Sequence, residues 1–514
     1  MSSTPVVEIG PHAPSGDEVR QVARDRARVR LSSAARSALA AGRASVETLA
    51  TGADPAYGVS TGFGALATRH IPAKARTQLQ RSLIRSHAAG TGPEVEPEIV
   101  RALMTLRLRT LATGRTGVRT VTAETLADLL NSGITPVVGE YGSLGCSGDL
   151  APLSHIALAL MGEGEVRDAS GQRVPAGQAL PAAGIEPLVL EEKEGLALIN
   201  GTDGMLAHLL LACHDLQQLL ITADIAGAMS VEALLGTDRA FAAELQALRP
   251  HPGQAVAAEN MMALLADSPI VASHRGPECT RVQDAYSLRC APQVAGAARD
   301  TLAHARTVAE RELVSVIDNP VVLPDGRVES NGNFHGAPVG YVLDFLAVAV
   351  ADLASIAERR TDRMLDVARS HGLPAFLAED PGVDSGHMIA QYTQAAIVSE
   401  LKRMATPASV DSIPSSAMQE DHVSMGWAAG RKLRGGLDGL RRVLAVEILT
   451  AARALDLRAP LEPAPATGAV VRAVRERVPG PGPDRHLAPD IEAVVDLVAS
   501  GAVVAAAQRE TPLR

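Results

Sequence analysis

A chain of 514 residues, 46% hydrophobic and 21% charged, has ample material for a large buried core and the profile of a soluble globular protein. Its net charge of -10 leaves nucleic acid no basic surface to bind, and one Trp, five Tyr and five Phe are too few for base-stacking platforms. The start, MSSTPVVEIGPHAPSGDEV, has no basic region followed by an apolar run, so no secretory signal and a cytoplasmic location are expected. Cys146, Cys213, Cys279 and Cys290 form no CxxC pair or close cluster, which predicts reduced thiols and no structural metal site.

In chain order, the first part alternates short helical segments with loops, and glycine-rich turns punctuate it at 58–64 and 139–148. Residues 163–178 read as a small hairpin turning at Ser170-Gly171, and little strand is expected beyond it. Long helical patterns then follow at 204–235, 294–315, 338–369, 386–404 and 422–457, several of them two or three times the average helix of about 11 residues. Pro338 is expected to open one of these helices and Asp421 to cap another. The stretch 339–357 nears membrane-spanning length, but Asp344 and Asp352 within it would be costly in lipid, so it reads as the centre of a bundle. A proline-rich segment, 459–489, is expected to wrap that bundle before a last helix at 490–508. The predicted fold class is mainly α: a long-helix bundle over 201–514 with a small mixed α/β part over 1–200, the two forming one continuous unit.

The chemistry concentrates in a few motifs. GSLGCSGDLAPLSH at 142–155 places three glycines three apart before a helical run. An anion-binding loop at a helix N-terminus is one reading. No Lys-Ser/Thr pair follows and no clear strand precedes, so neither phosphate-loop fingerprint is met, and a tight structural turn stands level with it. Tyr57 sits in YGVSTGFG (57–64), where a tyrosine alone is more often a packing residue. Arg289, in QDAYSLRC (283–290), has the planar fork that holds a carboxylate bidentately, against the plainer alternative of a structural ion pair.

Taken together these segments resemble the aromatic amino acid ammonia-lyase family, from about residue 10 to about residue 500. The resemblance implies that Cys146, Ser147 and Gly148 cyclise into a 4-methylidene-imidazol-5-one. The Gly148 nitrogen, free of side-chain crowding, attacks the Cys146 carbonyl, and two dehydrations leave Ser147 as an exocyclic methylidene. The first tripeptide residue is commonly Ala in the family; here it is Cys146, whose side chain hangs outside the ring. Asp149 is placed to assist the dehydrations. Tyr57 takes the role of base for the β-proton, which requires its phenol to titrate below the usual value near 10. By the same resemblance Asn200 in EGLALINGT (194–202), Gln283 and Tyr286 surround the prosthetic group, Arg289 takes the substrate carboxylate, and Phe334 in NGNFH (331–335) lies beside the group. Ser60, Asp203, Asn331, His387 and Met418 depart from the usual wording.

Substrate choice rests on two motifs. Ser86-His87 in LIRSHAAG (83–90) resembles the histidine-directed branch, where phenylalanine- and tyrosine-directed relatives show Phe-Leu or His-Leu. Glu420 in MQEDHVSM (418–425) stands where phenylalanine-directed relatives carry Gln. A carboxylate can accept an imidazole N–H, a contact no phenyl ring offers. The resemblance therefore implies elimination of ammonia from L-histidine to give trans-urocanate, the first step of histidine breakdown, with no dissociable cofactor and no metal. It further implies a fold shared with fumarase and aspartase and a homotetramer with sites built from more than one subunit. A tyrosine or phenylalanine ammonia-lyase, an aminomutase, and an inactive structural protein of the same fold are the competing readings.

Overall fold

The computed structural model describes residues 5–52, 57–62, 64–276, 279 and 281–514; Phe63, within the Tyr57 motif, lies outside them. They form two compact units, each assembled from three stretches: 1–211, 306–343 and 407–431 in the first, and 212–305, 344–406 and 432–514 in the second.

The first unit opens on a parallel strand pair, Val6–Ile9 with Arg28–Leu31, whose alternate residues Val7, Ile9, Val29 and Leu31 are buried. Between them runs the helix Gly16–Arg24, started by a capping box in which Ser15 and Glu18 satisfy each other's backbone N–H. At the centre is the helix Pro97–Ala112, buried without interruption from Ile99 to Ala112. Burial on every face leaves its arginines no water, and each guanidinium donates to main-chain carbonyls instead: Arg101 to Val22 and Leu130, Arg107 to Ala197, Asn200 and Ile317, Arg109 to Val314. The expected hairpin is present as Glu165–Arg167 paired antiparallel with Arg173–Pro175, and Thr135–Pro136 adds a third strand. A second hairpin, Val321–Val322 with Val328–Glu329, lies beyond the point where strand was expected to end; Val322 packs with Val46 and Val59.

The second unit is helical, with its own buried polar clusters. Glu447 is paired with Arg360 at 2.5 Å and accepts from Ser230 at 2.7 Å. Asp224 is paired with Arg299 at 2.5 Å and accepts from Asn260 at 2.7 Å. Lys432 meets the buried Asp344 at 2.7 Å. That pairing explains how a charged residue sits inside an apolar stretch.

The five long helices run Asp203–Ala233, Ala291–Val314, Ala337–Leu365, Met388–Met404 and Gly426–Asp456, close to their predicted spans. Asp203–Ala233 and Ala337–Leu365 are long and apolar enough to cross a membrane, yet 78% and 61% of their apolar windows are buried within the protein. Asp421 does not cap the last helix, which starts five residues later. The intervening chain spends its donors elsewhere: Val423 N–H goes to Ser412 Oγ at 3.0 Å and Met425 N–H to Leu144 O at 2.8 Å, with Met425 at φ +52. Two further differences concern the C-terminal part. The proline-rich stretch contains a helix, Pro465–Arg475, with proline in its first turn where a missing N–H is harmless. The final helix is two, Ala488–Ala499 and Ala502–Gln508, separated by Gly501 at φ +75, a conformation that ends a right-handed helix.

Candidate active site

The loop 142–149 is fixed from both sides within the first unit. The Gly145 carbonyl accepts from Ser424 Oγ at 2.7 Å and from Gly336 N–H at 3.2 Å. Gly148 forms a bridge with Gly201, and Asp149 N–H donates to Gly201 O at 2.7 Å. Gly148 adopts φ +74, and a Cβ there would lie 2.0 Å from Gly201 O. Both facts require glycine.

Around this loop lies a cavity of about 670 Å³ whose lining includes Tyr57, His87, Ser147, Asn200 and Glu420, with Leu79, Leu83, Leu196 and Ile199 among its apolar residues. Five of the residues singled out from the sequence thus share one space. Asn200 Nδ2 donates to Ser147 O at 3.4 Å, and Asn200 Oδ1 is buried without a partner among the described residues. Arg107 holds the Asn200 carbonyl at 2.9 Å and faces Asp203 at 3.0 Å, so the helix core fixes this asparagine's backbone. Burial pushes the Asp203 carboxyl up from its ordinary value, opposed by the Arg107 charge. The Tyr57 oxygen accepts from Gly64 N–H at 3.1 Å.

Glu420 is held by three side chains. Ser147 Oγ donates to Oε1 at 3.0 Å, while Cys146 Sγ at 3.1 Å and Ser415 Oγ at 3.2 Å donate to Oε2. Burial, followed by the Glu420 carboxylate, pushes the Cys146 thiol up to about 12, so it keeps its proton. His87 ends the helix Ala73–His87, with Nδ1 2.9 Å from Leu83 O. A carbonyl only accepts, which places the ring proton on Nδ1 and leaves Nε2 with a lone pair. Burial lowers the His87 pKa against that bond and the Glu420 charge, so the ring is neutral at pH 7.

Asp149 is fully buried; its carboxylate accepts from Ser143 Oγ at 2.9 Å and Met205 N–H at 2.8 Å. Burial pushes it up to about 7, which poises it to exchange a proton near neutrality.

Phe334 is half-buried in the turn before helix Ala337–Leu365 and does not line the cavity. Gln283, Tyr286 and Arg289 belong to the second unit and are likewise not among the lining residues. There the Arg289 guanidinium lies over the Tyr286 ring at 4.7 Å, and Tyr286 is 72% exposed. Residues not singled out from sequence also matter: Ser415 on Glu420, and Arg69, Asn319 and Ser416 in the lining. Of the unusual positions, Asn331 donates to Asp318 O at 3.0 Å beside Asn319, and His387 pairs with Thr450 at 3.1 Å in the second unit. Ser60 is buried and Met418 is exposed at φ +69; nothing in the structure explains either choice of residue.

Comparisons with known proteins agree with this architecture. The family model described as aromatic amino acid lyase matches residues 15–476. A histidine ammonia-lyase of Streptomyces coelicolor is 66% identical over 510 residues, covering 99% of both chains. Among solved structures, a tyrosine aminomutase from Streptomyces globisporus superimposes with TM-score 0.92 at 40% identity, covering 99% of each chain. The histidine ammonia-lyase of Trypanosoma cruzi gives TM-score 0.90 at 37% identity, covering 99% of this chain and 96% of its own. A mainly helical fold shared with these enzymes, and a family match spanning most of the sequence, place this chain in the aromatic amino acid lyase family.

Proposed function

We propose that this chain eliminates ammonia from L-histidine to give trans-urocanate, using a 4-methylidene-imidazol-5-one made from its own Cys146, Ser147 and Gly148. The observation that carries the reading is the single cavity in which Ser147, Tyr57 and Asn200 meet a neutral His87 and the Glu420 carboxylate. The name borne by the 66% identical Streptomyces relative supports the same substrate.

The residues fit the prosthetic group. Gly148 has the conformation and crowding that admit no side chain on the residue whose nitrogen must close the ring. Ser147 O, which would become the ring oxygen, already has Asn200 Nδ2 as a donor. Once formed, the group supplies an electrophile that takes up the substrate amine and turns it into a leaving group. Asn200 stabilises negative charge on the ring oxygen from a preorganised position. Tyr57 removes the β-proton. Glu420 accepts the imidazole N–H, His87 offers a second polar contact, and the leucines and Ile199 keep water from the reacting atoms. A phenyl ring would leave both polar groups unpaired, a penalty that discriminates strongly against it. Asp149, poised near neutrality, relays protons during the two dehydrations.

The enzyme acts as a cytoplasmic homotetramer, in which Gln283, Tyr286 and Arg289 of the partner subunit complete the site and Arg289 holds the substrate carboxylate. The exposure of Tyr286, and the absence of all three from the lining of the cavity, support this.

Purified protein incubated separately with L-histidine, L-tyrosine and L-phenylalanine, and followed by the ultraviolet absorbance of the acrylate product, is expected to yield urocanate. Coumarate or cinnamate without urocanate would overturn the substrate assignment. Intact mass spectrometry should find the protein two waters lighter than the encoded chain, and Ser147→Ala should lose all elimination while keeping its helical circular dichroism.

A further inference from the structure

We infer that Cys146 is a positioning residue for substrate recognition: with Ser415 it holds one oxygen of Glu420, so that the other is presented to the substrate ring once the Ser147 hydroxyl has gone. The inference rests on the reading above and gives a role to the tripeptide residue whose side chain does not enter the ring.

Three donors share the Glu420 carboxylate, and they divide unequally. Oε1 has Ser147 Oγ alone at 3.0 Å, whereas Oε2 has both Cys146 Sγ at 3.1 Å and Ser415 Oγ at 3.2 Å. The second dehydration takes the Ser147 hydroxyl together with its Cα hydrogen as one water and leaves a Cα=Cβ double bond. Oε1 thereby loses this donor, while Oε2 keeps both of its own. Glu420 already lines the cavity, so processing itself converts an occupied acceptor into a vacant one facing the place where an imidazole N–H arrives.

The main chain supports the same geometry. Ser415 N–H donates to Glu420 O at 2.9 Å and Glu420 N–H to Ser415 O at 3.3 Å, a two-way bridge that limits how far the carboxylate can swing. Cys146 is only 6% exposed, and the thiol keeps its proton at any working pH, so it acts as a donor and never repels the carboxylate as a thiolate. An alanine at 146 would leave Oε2 with Ser415 Oγ as its one side-chain donor, so the carboxylate would be held less firmly in this orientation.

Ser147→Ala mimics the processed state in the relevant respect, because it lacks the hydroxyl while performing no chemistry. In that background, L-histidine binding followed by titration calorimetry should weaken about tenfold on adding Cys146→Ala, the loss expected for one hydrogen bond to a charged group, and return to within about twofold with Cys146→Ser. In the active protein, Cys146→Ala should still become two waters lighter, with KM raised and kcat nearly unchanged. In a Glu420→Gln background, Cys146→Ala should add no further loss of affinity.

Unchanged binding in the Cys146→Ala, Ser147→Ala protein overturns the proposal, as does a Cys146→Ser variant no better than Cys146→Ala. If Cys146→Ala fails to fold, Ser415→Ala in the Ser147→Ala background decides: unchanged histidine affinity there overturns the proposal too. A wild-type protein that is not lighter by two waters, or that makes no urocanate, removes the underlying reading and this proposal with it. A wild-type protein that passes both tests beside an indifferent Cys146→Ala removes this proposal alone.

Discussion

Asp149 owes its chemistry to its environment. Burial moves its carboxyl from an ordinary 3.8 to about 7. The folded chain therefore keeps a proton that the unfolded chain releases as pH climbs through that interval. Stability from this group is fully present below about pH 4 and is lost as pH rises toward 7, by about 3 kcal/mol between pH 5 and pH 8 at about 1.4 kcal/mol per unit. Asp149→Asn cannot ionise, so its melting temperature should fall less than that of the wild type between pH 5 and pH 8. An equal fall would contradict the assignment. The same variant should process slowly, with intact mass showing a larger uncyclised fraction. At this scale Tyr57, His87, Ser147, Asn200 and Glu420 were legible because each occurs in distinctive wording. Ser415, Asn319 and Arg69 were not, since an ordinary serine, asparagine or arginine gains meaning only from what folding sets beside it.

Among elements, the helix Pro97–Ala112 does most to position the site. Its apolar pattern marks it as buried, yet nothing local reveals that Arg107 reaches three carbonyls of other segments, including that of Asn200. Arg107→Met would leave Asp203 a buried carboxylate without its cation and three carbonyls without a donor, costing about 3–5 kcal/mol. A fall of several degrees in melting temperature, with lower kcat in the protein that remains folded, is the expected result; an unchanged melting temperature would rule this role out. The spans of the long helices were readable from the sequence, and Pro338 does stand in the first turn of Ala337–Leu365, whereas the start at Gly426 was not. Asp421 has the chemistry of a cap, but the chain from Val423 to Met425 is taken up by Ser412 and by the loop at Leu144. The hairpin Val321–Val322 with Val328–Glu329 is too short for an alternation signal, although Asp325-Gly326, with Gly326 at φ +86, is a turn signature that could have found it.

For the whole molecule, the second unit exposes apolar side chains at helical spacing: Phe345 and Val348 at 51% and 46%, Ile389 and Tyr392 at 57% and 60%. Paired stripes of this kind are what a subunit interface covers. Sedimentation is expected to give four chain masses for the wild type and fewer for Phe345→Glu. If the site is shared as proposed, that variant should lose activity while remaining two waters lighter, because processing would use residues of one chain and turnover those of its partner. A fully active monomer would refute the shared site. Neither the number of chains nor the interleaving of the two units can be read from a hydrophobic period, which reports only that a face is covered and not by what. The close approach of Gly148 to Gly201 has one more consequence. If, as proposed, the tripeptide closes only in this arrangement, segments more than fifty positions apart in sequence must meet first, and a nascent chain that has not yet folded would carry no reactive electrophile. On that reading, chemical competence would follow the native backbone, and the cell's amines would not meet the warhead of an unfinished enzyme.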